Sequence, residues 1–70
     1  MTPELKEKLN DALYMLGRTT QALKANINDD LSGLQPDEQR NIIMFGMKNL
    51  LMAKEQTTQI IFEILSKGDL

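Results

Sequence analysis

One break dominates the chain. The stretch NINDDLSGLQPDEQ, residues 26–39, separates two long runs in which apolar residues recur every three or four positions. Asn26, Asn28, Asp29 and Asp30 are poor helix formers, and Gly33 suits a helix terminus. Pro36 followed by Asp37 and Glu38 suits the first turn of a new helix, where a missing N–H costs nothing and acids meet the positive end of the dipole. Two helices joined by so short a connection pack as antiparallel neighbours. The pattern therefore predicts an all-α, antiparallel two-helix hairpin in a single domain over residues 1–70. Helix 1 is expected over about residues 3–30, a turn over about 31–35, and helix 2 over about 36–66.

The two runs differ in breadth. In the first, Leu5, Leu9, Leu16, Leu23 and Ile27, joined by Ala12, Leu13, Thr19 and Thr20, make one narrow stripe close to a heptad seam. In the second, Ile43, Met47, Leu50, Ile61 and Leu65 fall at the centre of the apolar face. Ile42, Ala53, Ile60 and Ile64 flank one side, and Met44, Leu51 and Phe62 the other. Phe45 and Met52 fall on the opposite side, and Lys54 and Thr57 point along the centre. The apolar arc of helix 2 spans about 200° against about 120° for helix 1, while a surface helix needs little more than about 100°. In register, Leu23 is expected near Ile43, Leu16 near Leu50, and Leu9 near Thr57.

A narrow helix cannot cover so wide a face. The surplus surface is expected to bind a second chain, through Ile42, Met44, Phe45, Leu51, Met52, Ala53, Ile60, Phe62 and Ile64. That chain is either a second copy, completing a four-helix bundle, or a different helical protein. Size points the same way, because 70 residues bury only about 60% of the surface of their unfolded form. Such scaffolds need a staple, and with no cysteine and no histidine the choice narrows to association. Two mid-helix glycines, Gly17 and Gly46, mark candidate close contacts.

The same composition excludes most chemistry. There is no histidine base, no cysteine nucleophile, no usual zinc ligand set and no phosphate-cradling loop. No enzyme activity, cofactor, metal or small-molecule substrate is expected. The formal net charge of -2 disfavours RNA as a partner. No continuous apolar run suits a signal peptide or a membrane span, so a cytoplasmic setting is the expectation. One polar constellation stands apart: Asn10, Tyr14 and Arg18 recur at one-turn spacing on helix 1, off the apolar stripe.

Two resemblances bear on these residues. In chain size, glycine-containing turn and the run LLMAKEQTTQII (Leu50, Leu51, Ala53, Glu55, Gln56, Ile60 and Ile61) the chain resembles the small E-type co-chaperones of type III secretion. That resemblance implies that the flanks of helix 2 bind a larger chaperone. In LNDALY, with Asn10 and Tyr14, and in LSGLQPDEQRNI, the chain also resembles the Rop family of dimeric plasmid regulators. This second likeness implies an RNA-binding face on helix 1, although Pro3 stands where that family carries a lysine and helix 2 is more apolar.

Overall fold

The computed structural model describes residues 1–68. They form two helices, α1 (Pro3–Asn28, 26 residues) and α2 (Pro36–Lys67, 32 residues), packed along their length as a hairpin. The result is a rod with Cα extents of 51 × 14 × 13 Å. No strand occurs among the described residues.

The ends follow from local chemistry. Thr2 caps α1: its Oγ1 accepts from the Leu5 N–H at 3.2 Å, with Pro3 at the first turn and Glu4 beside the free amides. α1 stops at Asn28, two residues short of the expected end, where Asp29 turns extended. Gly33 plays no part in that stop, since Gly68 alone among the described glycines takes a left-handed conformation. The connection is held by its own acids. Asp29 Oδ1 accepts from the Asp30 N–H at 2.9 Å, and Asp30 Oδ1 from the Ser32 N–H at 3.0 Å. Gln39 Nε2 donates back to the Leu34 carbonyl at 2.9 Å and fastens the start of α2, whose N-cap Gln35 offers no side-chain bond. At the far end Gly68, at φ 63°, donates its N–H to the Leu65 carbonyl at 3.1 Å.

The register is set by one close approach. A Cβ placed on Gly46 would lie 3.0 Å from Leu23 Cδ1 and 3.7 Å from Leu23 Cα. Leu23 thus sits against Gly46, three residues along from the expected Ile43. Carried along an antiparallel pair, this register sets Leu16 level with Ala53, Ala12 with Thr57, and Leu5 with Ile64. The burial pattern agrees: Leu5, Ala12, Gly46, Ala53, Thr57 and Ile64 are buried, and Leu9, Leu16, Thr19, Leu23, Asn26, Ile43, Leu50 and Ile60 are half-buried. These positions trace one heptad seam on each helix. Gly46 meets Leu23, Ala53 meets Leu16, and Ala12 meets Thr57, so three of these layers carry at least one small residue that lets the helices approach. Thr57 enters the seam because its hydroxyl donates to the Ala53 carbonyl at 2.8 Å and leaves no polar group unpaired.

This seam corrects several expectations. Met47, Ile61 and Leu65, placed at the centre of the inward face by the helical wheel, are exposed. Ala53 and Ile64, assigned to a partner, are buried beneath α1 instead. Ile42 and Ile60 are half-buried at the same seam. The cause is steric: α1 gains its closest packing against the small residues Gly46, Ala53 and Thr57, which rotates the bulky methionines and leucines outward. On α1, Asn26 completes the seam, and Ile27 is exposed.

Candidate partner-binding face

Stepping one residue along the inner seam of α2 uncovers a second. Met44, Met47, Leu51, Lys54, Thr58, Ile61 and Leu65 repeat at alternating intervals of three and four residues. Each residue of this outer seam is turned about 100° from its inner counterpart. All seven are exposed. Leu51, at 60% exposure, and Met44, at 57%, present almost bare side chains to water. One helix thus carries two apolar seams, and α1 covers only one.

The outer seam has apolar flanks. Phe62 adjoins it beside Ile61, while Phe45 and Met52 are turned a further ~100° beyond Met44 and Leu51, on the back of α2; all three are strongly exposed. Met44, Met47, Leu51 and Met52 line a shallow hollow together with Lys48 and Glu55. A second hollow brings Ile27 of α1 together with Arg40, Ile43 and Met44 of α2, so apolar groups from both helices meet on this side. Leu13 shares that side of α1 by heptad position and is exposed. The opposite side of the hairpin is mixed. Its groove is lined by Lys8, Asp11, Gln56, Gln59 and Glu63 together with Ala12, Met15 and Ile60.

Of the nine residues expected at a partner interface, Met44 and Leu51 belong to the outer seam, Met52 shares their hollow, Phe62 adjoins the seam, and Phe45 is exposed but turned about 100° past Met44. Met47, Ile61 and Leu65 belong to the outer seam too. Sequence reasoning gave them to the hairpin seam, although the second three-and-four repeat was there to be read.

Asn10, Tyr14 and Arg18 form an exposed row along α1. Glu7 and Asp11 flank this row, so it does not make a basic surface. Among the described residues no group of three or more acidic, histidine or cysteine side chains could hold a metal ion. Among the described residues no helix is long and apolar enough to cross a membrane. At the connection, hydrogen bonds from Ser32 hold the Asp30 carboxyl below the usual carboxylate range. This marks a turn, not a reaction centre. No family model, curated protein or solved structure matches the chain.

Proposed function

We propose that this protein acts by binding protein, as a small helical adaptor or co-chaperone whose outer α2 face packs against a partner helix. The observation that carries this reading is the second heptad seam on α2, exposed along its length while the first is spent on α1. A seam of that period is what a helix needs to receive another helix. Its three exposed methionines, Met44, Met47 and Met52, suit a surface that adjusts to what it binds. The resemblance to type III secretion co-chaperones fits this reading, since it implies a larger chaperone bound at the flanks of helix 2.

The test is the composition and mass of the assembly in which the native chain is isolated. Wild-type chain is expected in a protein assembly heavier than its own 8.0 kDa. Leu51→Asp is expected to release it as a helical single chain, because a carboxylate at the centre of a dry seam is costly. Tyr14→Ala and Arg18→Ala are expected to leave the assembly intact. An assembly indifferent to Leu51→Asp, or one held by RNA and lost in Tyr14→Ala, overturns the reading.

A further inference from the structure

We infer that the partner seated on the outer α2 face is a second copy of this chain, with the two α2 helices antiparallel and crossing level with Gln56. This rests on the reading of that face as a protein-binding surface and names its occupant.

The order of residues in the outer seam suits a partner of the same sequence. A two-fold interface presents the same surface from both sides, so the surface must complement itself when reversed. Read from either end, Met47, Leu51, Lys54, Thr58, Ile61 and Leu65 run apolar, apolar, polar, polar, apolar, apolar. Reversed about Gln56, Met47 falls level with Leu65 of the second copy, Leu51 with Ile61, and Lys54 with Thr58. Apolar layers meet apolar layers at both ends, and the polar positions meet at the centre. Met44 lies beyond the last matched layer, level with Gly68 at the end of the second copy's helix. Shifting the alignment by one heptad either way sets Lys54 against Leu51 or Leu65. The polar centre is tolerable: the Thr58 hydroxyl already donates to the Lys54 carbonyl at 2.8 Å, and a lysine can extend its ammonium to the rim.

The exposed area agrees. The hairpin exposes 5587 Å². A compact monomer of this mass exposes about 4,450 Å². The excess is about 1,100 Å², and each partner in a standard interface buries about 800 Å². One additional hairpin on one face accounts for an excess of that size. Among the described residues no side chain is fully buried, and a second copy gives the outer face of α2 the cover that the inner face has from α1.

The experiment uses the purified chain alone and exploits its lack of cysteine. Sedimentation equilibrium over a dilution series is expected to give twice the chain mass, and Leu51→Asp to give the single mass. Met47→Cys and Leu65→Cys chains are then mixed, annealed and oxidised. A mixed disulfide-linked dimer is expected, with little product from either variant alone. The like positions lie about 27 Å apart along the axis at 1.5 Å per residue. Helicity by circular dichroism confirms that each variant is folded. Folded single variants that cross-link with themselves as readily as in the mixture overturn the antiparallel arrangement. A purified chain that stays monomeric, while the native assembly still depends on Leu51, overturns the second copy and leaves the binding face standing for a different protein. A native assembly indifferent to Leu51→Asp overturns both.

Discussion

Gly17 and Gly46 are both mid-helix glycines, and their surroundings separate them. Nothing lies within 4 Å of a Cβ added at Gly17, whereas one added at Gly46 meets Leu23 at 3.0 Å. Gly17→Ala is therefore expected to raise the thermal midpoint, by an amount corresponding to about 1 kcal/mol of helix propensity. Gly46→Leu is expected to lower it, since overpacking a tight seam costs about 1–3 kcal/mol. Thermal unfolding followed by circular dichroism distinguishes the two. At the connection, hydrogen bonds from Ser32, its hydroxyl first and its backbone N–H second, hold the Asp30 carboxyl below the usual carboxylate range. A folded-state value below the unfolded one means that the turn gains from the ionised form above the ordinary carboxylate range. That gain is lost as pH falls through the lowered value. An NMR titration is expected to place the Asp30 midpoint below that of an ordinary aspartate, and Ser32→Ala to move it upward. An unchanged midpoint in Ser32→Ala would show that the hydroxyl is not the cause.

At the scale of the element, the helices differ in how they are held. α1 has a side-chain cap at Thr2, but its last turn carries no basic residue. α2 has a left-handed glycine at its end and a Glu63–Lys67 ion pair at 3.3 Å, which is exposed and contributes little. Thr2→Ala is expected to fray the start of α1 and to cost about 1 kcal/mol. The loss should appear as faster amide exchange in the first turn, and exchange unchanged there would rule out the cap. α2 is also the element with two roles. Its inner seam is rich in small residues and its outer seam in large ones, so the helix that approaches most closely takes the small side. Lys54 in the outer seam is expected to act as a register pin. Lys54→Leu should strengthen self-association at least about tenfold, a buried leucine being worth about 1.5–3 kcal/mol. It should also permit cross-links in alignments that the wild-type seam forbids. Weaker association in Lys54→Leu would place Lys54 in a favourable contact instead.

Over the whole molecule, the hairpin is a rod two helices wide, with charged residues gathered along one groove and the exposed apolar seam of α2 on the other side. Its driving force for association is apolar, so raising the salt concentration is expected to leave assembly unchanged or stronger. An RNA-held assembly would weaken steeply under the same change, because phosphate contacts release counterions. Light scattering across a salt series separates the two.

What the sequence determined by itself was the architecture. The break at residues 26–39, Pro3 and Pro36 at the helix starts and Gly68 at the end act through contacts a few residues apart, and such contacts can be read in order along the chain. The sequence also showed that α2 is too apolar for α1 to cover, because breadth of pattern is a property of one helix. Which part of that breadth α1 would take was decided only by the tertiary structure. The wheel ranks positions by hydrophobicity and so set Met47, Ile61 and Leu65 inward. Packing ranks them by how closely two backbones can approach, and that favours Gly46, Ala53 and Thr57. The fit of Leu23 against Gly46 joins residues distant in sequence, and it turned α2 until Ala53 and Ile64 were sealed and Met44, Leu51 and Leu65 faced out.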